Sequence, residues 1–164
     1  MKCLFALLQL FLIFQIVLNS SLSSSNKNSA GVTQIMPDTL YMNQVLQTNS
    51  QLYFLAMQGD GNLVLYSKGS LSGRGNDFPL WSSNTQNKGL APWSARITKE
   101  GFLTITDING IQTYNSSKSP NALKTSQPPV GPYKLVMQED GNLVIYDSSS
   151  PPQALFATGT NAKR

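Results

Sequence analysis

Gln58, Asp60, Asn62, Val64 and Tyr66 stand two apart along the chain, and Gln138, Asp140, Asn142, Val144 and Tyr146 repeat them 80 positions later. The decamers around them, MQGDGNLVLY from Met57 and MQEDGNLVIY from Met137, differ at two positions. A fold needs apolar residues in a pattern, but it does not need the same polar residues twice. Residues two apart share one face of a strand. If the Asp-Gly turn preserves that parity, each set gathers a carboxylate, two amides and a phenol over a small apolar floor. The carboxylate accepts hydrogen bonds, the amides donate and accept, and the phenol does either. That set matches the vicinal hydroxyls of a sugar, with Val and Tyr left for its C–H faces.

Other readings compete. Asp-Gly and Gly-Asn are ordinary turn residues, and Tyr and Val are ordinary strand residues. Asp-x-Asn also opens some calcium loops, but the further oxygen ligands and terminal Glu of an EF-hand are missing. Intact copying of all five positions favours binding over turn chemistry. The chain contains no histidine, which removes Ser-His-Asp and Cys-His nucleophiles and most zinc sites. Among the eight carboxylates no acid–base pair stands out. The expectation is a binding protein, not an enzyme, with no cofactor and no metal. The net charge is +4, but the basic residues (Lys68, Arg74, Lys88, Arg96, Lys99) are scattered. A nucleic-acid partner would need a basic stripe.

The elements that carry these sets follow from the repeat. Half the 80-residue offset falls on Glu100, in ITKEGFLTIT from Ile97 to Thr106. Met57, Ile97 and Met137 keep step at 40, as do Leu63, Leu103 and Leu143, and Tyr53, Trp93 and Tyr133. The chain therefore holds three units of about 40 residues. The middle one carries Thr98, Glu100, Phe102, Thr104 and Thr106 at the five polar positions, so its hairpin does without them. Each unit reads as strand, Gly-containing turn, strand, with a third strand around Trp81 and around Phe156. Three small sheets cannot each bury a face alone. Leu63, Leu65 and their counterparts must meet at a shared centre, around a pseudo-threefold axis, and the other faces meet solvent.

Composition bounds the rest. Residues 1–21, one lysine and a short apolar run ending in Asn-Ser-Ser, read as a secretory signal peptide; the run is short for a membrane span. Residues 22–35 read as a flexible Ser/Asn-rich leader, and 36–164 as one binding domain. The only cysteine, Cys3, lies in the leader peptide, so packing alone must hold the secreted domain. Asn115-Ser116-Ser117 is an N-glycosylation sequon expected in a loop.

Gln-x-Asp-x-Asn-x-Val-x-Tyr, in two full copies and a third vestige in register, resembles the motif of the bulb-type mannose-binding lectins related to snowdrop agglutinin. The resemblance covers about Met36 to Arg164. It implies an all-β fold, the β-prism II of three four-stranded antiparallel sheets with pseudo-threefold symmetry, and no enzymatic activity. It implies mannose-containing glycans as partners at each intact motif. Asp and Asn would hold the 2-hydroxyl, Gln the 3-hydroxyl and Tyr the 4-hydroxyl. A third-strand aromatic should sit at the prism centre; Trp81 and Phe156 qualify, and the second unit has no clear equivalent. Dimers of the family often exchange the C-terminal strand, here Ala154 to Thr160. Two departures stand out: Gly61 occupies a position where many members carry a cysteine, and the loops after Tyr66 and Tyr114 are longer than usual and could cover or extend a site. Some relatives have lost sugar binding, so a protein-interaction module on the same prism is the alternative.

Overall fold

The computed structural model describes residues 34–35, 38–69, 73 and 75–161. The signal-peptide segment, most of the 22–35 leader and Cys3 lie outside the described residues.

The regular structure of the described residues is short antiparallel strand, apart from one turn of 3-10 helix at Ser116–Lys118. In the first unit β4 (Tyr53–Met57), β5 (Leu63–Ser67) and β6 (Phe78–Ser82) pair in sequence; in the second β7 (Ser94–Ile97), β8 (Leu103–Thr106) and β9 (Gln112–Asn115); in the third β10 (Lys134–Met137), β11 (Leu143–Tyr146) and β12 (Ala154–Ala157). The fourth strand of every sheet comes from the segment before the first unit. β1 (Gln34–Ile35) joins β10, β2 (Thr39–Tyr41) joins β7, and β3 (Val45–Gln47) joins β4. The result is three four-stranded sheets, the expected β-prism II. β1 falls inside the segment 22–35 expected as leader. Its pairing runs through backbone groups, which composition does not register. β12 pairs with β11 of its own sheet.

The three hairpins are built alike. Gln58 N–H donates to Asn62 O at 2.9 Å and Gly61 N–H to Gln58 O at 3.1 Å. The same two bonds recur at Thr98–Phe102 and Gln138–Asn142. Gly61, Gly101 and Gly141 close these turns at φ +84°, +84° and +85°, the left-handed geometry of a three-residue hairpin loop. Space also demands glycine there. A Cβ on Gly61 would stand 2.6 Å from the Trp93 indole, one on Gly101 2.9 Å from Tyr133, and one on Gly141 2.5 Å from Tyr53. Each unit's turn is thus covered by the leading aromatic of the next, and the third by that of the first. This is why Tyr53, Trp93 and Tyr133 keep the 40-residue step.

Leu55, Met57, Leu63, Leu65, Leu103, Ile105, Met137, Leu143 and Ile145 are fully buried in one core shared by all three sheets. Leu65, Ile105 and Ile145 stand opposite Trp81, Tyr114 and Phe156. The Trp81 ring meets Tyr114 edge-on at 6.0 Å and Phe156 at 5.9 Å. Tyr114 is therefore the missing third aromatic. Its hydroxyl is buried and makes no hydrogen bond of acceptable geometry. Burial pushes its pKa up, and the nearby Ser119 side chain pulls it part of the way back.

Candidate carbohydrate-binding site

Val64 and Tyr66 lie in β5 and Val144 and Tyr146 in β11, Gln and Asn flank each turn and Asp lies in it, and none of the ten belongs to the shared core. Val64 and Val144 form the floors and are 3% exposed. Val64 sits between Ala56 and Ser82 on the flanking strands, Val144 between Val136 and Ala157. Gln, Asp, Asn and Tyr are half-buried in both copies, accessible on one side and fixed on the other.

Their hydrogen bonds agree between copies. Gln58 Nε2 donates to the Tyr66 hydroxyl at 2.8 Å, and Gln138 Nε2 to that of Tyr146 at 3.1 Å. Each Gln is left with its carbonyl oxygen and one N–H, and each Tyr with its hydroxyl proton. Asp60 Oδ1 accepts from Asn62 N at 2.9 Å, and Asp140 Oδ1 from Asn142 N at 2.9 Å. The carboxylate therefore belongs partly to the turn, and its other oxygen is available.

The asparagines differ from the sequence expectation. Asn62 Oδ1 accepts from Ser83 Oγ at 3.0 Å and from Thr85 N at 3.2 Å. Asn142 Oδ1 accepts from Thr158 Oγ1 at 3.0 Å and from Gly159 N at 2.9 Å. Each amide offers a ligand its NH₂ end alone, and its orientation is set by the loop after the third strand. Ser83 and Thr158 also accept from Leu63 N and Leu143 N, while Thr85 and Thr160 donate to the turn carbonyls of Gly61 and Gly141. These supporting hydroxyls were missed in the sequence. The visible signal was a pair of hydroxyl residues two apart after each third strand, in SSNT and ATGT.

The copies are not identical. Phe54, opposite Tyr66, stacks on its ring at 5.0 Å and 15°. Lys134 holds the same position opposite Tyr146. Glu139 ties the third-unit turn to the loop before β4, accepting from Asn49 N at 2.8 Å and Ser50 N at 3.2 Å.

The middle unit keeps the hairpin without the polar set. Thr98 Oγ1 accepts from the N–H groups of Glu100 and Phe102, both at 3.3 Å, replacing the aspartate in the turn. Thr104 is 1% exposed and Thr106 lies 3.4 Å from Ser94 Oγ. The long loop after Tyr114 joins Glu100, Phe102, Tyr133 and Leu155 around a groove of about 590 Å³. The sequon is not in a loop. Asn115 ends β9 and accepts from Ser117 N, and the Ser116 hydroxyl accepts from Leu103 N at 2.9 Å, taking the part of Ser83 and Thr158.

Two other carboxylates hold loops. Asp107 accepts from the N–H groups of Leu90, Asn109 and Ile111. Asp147 accepts from those of Val130, Ser149 and Gln153 and from the Ser149 hydroxyl. Burial pushes both pKa values up, but these donors outweigh it and hold both carboxyls below their ordinary range. Among the described residues no cluster of metal-ligating side chains occurs, and no helix is long and apolar enough to cross a membrane.

No protein-family model matches the chain. It is similar to the mannose-specific lectin of Aloe arborescens, 34% identical over 125 residues that cover 74% of this chain and 95% of the relative. It spans about a third of the length of the mannose-specific lectins of Colocasia esculenta that it also matches. Among solved structures it resembles the monomeric monocot mannose-binding lectins from Gastrodia elata, at 28% identity and TM-score 0.57, over 79% of this chain and 98% of that one. It also resembles the Polygonatum cyrtonema lectin complexed with monomannoside, at 28% identity and TM-score 0.52, over 71% and 90% of the two chains.

Proposed function

The chain belongs to the bulb-type mannose-binding lectin family, and from that premise we propose that it is a secreted lectin, not an enzyme, which holds mannose-type glycans at two sites. Gln58, Asp60, Asn62, Val64 and Tyr66 form one, and Gln138, Asp140, Asn142, Val144 and Tyr146 the other. The observation that carries the reading is the same internal hydrogen-bond pattern in both sets, on two different sheets, beside a middle hairpin that folds without it.

At each site the free aspartate oxygen accepts from a sugar hydroxyl while the asparagine NH₂ donates to the oxygen of that hydroxyl. An axial 2-hydroxyl, as in mannose, suits that convergent pair. The Gln carbonyl and the Tyr hydroxyl then face the 3- and 4-hydroxyls, and Val supports the ring. Each bond nets only about 1 kcal/mol, because water is displaced. A free monosaccharide should therefore bind with a dissociation constant near 1 mM, about −4 kcal/mol. Tighter binding would come from both sites engaging one branched glycan, or from oligomers.

Retention on mannose-agarose tests the reading, with elution by free mannose and weaker elution by glucose. A folded protein that passes straight through would favour the protein-interaction alternative. Calorimetry giving micromolar affinity for free mannose would contradict the open-site account.

A further inference from the structure

A second cleft, about 490 Å³, opens between the third strands of the first two units, and none of the ten motif residues lines it. Its volume lies within the range of small-ligand sites, about 300–1,000 Å³. One wall carries Trp81, Asn84 and Lys88, the other Tyr114, Lys118 and Ser119. No aspartate or glutamate lines it, although all eight in the chain are among the described residues. Lys88 Nζ donates to the Asn84 carbonyl at 2.9 Å. The ion pair found among the described residues, Lys99–Glu100, involves neither cleft lysine. Two exposed lysines thus line a concave surface that no carboxylate lines; the nearby Asp107, against Gly89 and Thr113, is taken up by the N–H groups of Leu90, Asn109 and Ile111.

The remaining lining offers an aromatic ring and a side-chain amide. The Trp81 indole is half-buried, fixed edge-on by Tyr114 and Phe156. A rigid aromatic of this kind offers apolar area to the C–H face of a pyranose at little entropic cost. Asn84 is held at φ +56°, with its amide oxygen bound by the Ser82 hydroxyl at 2.8 Å, so its NH₂ group is left to donate.

We propose that this cleft is a separate saccharide site for a sugar bearing an anionic group, a carboxylate or a sulfate ester. Lys88 and Lys118 pair with the anion, Trp81 packs against the ring, and Asn84 donates to a hydroxyl. The cleft does not depend on the mannose sites for its ligand. It adjoins the first of them, since Ser83 and Thr85, which fix Asn62, also line it.

The test is a titration of the ¹⁵N-labelled chain with a glucuronate-containing disaccharide, a sulfated disaccharide and a neutral disaccharide, following the Trp81 indole N–H resonance. The expected result is a shift with at least one anionic ligand, the stronger one identifying the anionic group, and at least tenfold weaker binding of the neutral sugar. Lys118→Ala and Lys88→Ala should each weaken the anionic ligand about tenfold while retention on mannose-agarose is kept. The Asp60→Ala/Asp140→Ala double variant should still bind it. The proposal is overturned if the neutral sugar binds as well, if both lysine variants bind like the unaltered chain, or if no anionic sugar moves the Trp81 resonance.

Discussion

Asp60 and Asp140 each commit one carboxylate oxygen to the turn and leave one for a ligand. Asp60→Ala and Asp140→Ala should each silence one site, because a hydrogen bond to a charged acceptor contributes roughly 1.5–3 kcal/mol of a total near 4 kcal/mol. On multivalent mannan the single variants should keep one site and lose avidity, and the double variant should not bind. Glu100→Ala should change nothing. The lost turn bond, also to a charged acceptor, contributes up to roughly 1.5–3 kcal/mol and should lower the melting temperature without unfolding the domain. Unfolding of the double variant would instead mark the aspartates as turn residues. Asn62 separates the two roles more sharply. Asn62→Asp keeps an acceptor for Ser83 and Thr85 but loses the NH₂ donor, so it should fold and lose the first site, and combined with Asp140→Ala it should fold and fail to bind mannose. Asn62→Ala leaves Thr85 N unpaired and should also lose about 1–3 kcal/mol of stability. The polar set of each motif was legible because the repeat preserves side-chain types. The supporting end was not, because the partners of Asn62 lie 21 and 23 residues downstream, in a loop whose length the repeat does not preserve.

The element scale turns on the hairpins and what covers them. Gly61→Ala must place a side chain at φ +84° and 2.6 Å from the Trp93 ring. The backbone conformation alone costs about 1–2 kcal/mol, and the crowding adds about 1–3 kcal/mol. Gly110, at φ +76° with nothing within 4 Å of its notional Cβ, is the control. Gly110→Ala should cost only the backbone part, and urea unfolding of the two variants measures the difference. Hairpin positions could be read from alternation and Asp-Gly turns. The strands β1–β3 could not, since each has two or three residues and no repeat to mark it. Tyr114 escaped for a related reason. The third strands begin at Phe78, Gln112 and Ala154, so the loops before them differ in length and the 40-residue step breaks there.

For the whole molecule, acid should be the weak side. Asp107 and Asp147 are held below their ordinary pKa, so the stability they contribute is complete above the unfolded carboxylate value, about 3.9. It is lost as pH falls below that value towards their folded pKa. Melting temperature should be flat from pH 7 to 5 and decline below about pH 4. Asp147→Asn should be less stable at pH 7, and its deficit should narrow between pH 4 and 2; a constant deficit would contradict the assignment. Closure of the prism carries a different consequence. β1 finds its partner in β10, about a hundred residues later, and the third turn is covered by Tyr53 of the first unit. The strand made early must therefore wait for the last unit to leave the ribosome. Pairings so distant in sequence slow folding, and unpaired edges and apolar faces stay exposed meanwhile. A nascent chain stopped before Lys134 is not two-thirds of a lectin but an open, adhesive sheet pair, and a holding chaperone is what it needs before any sugar.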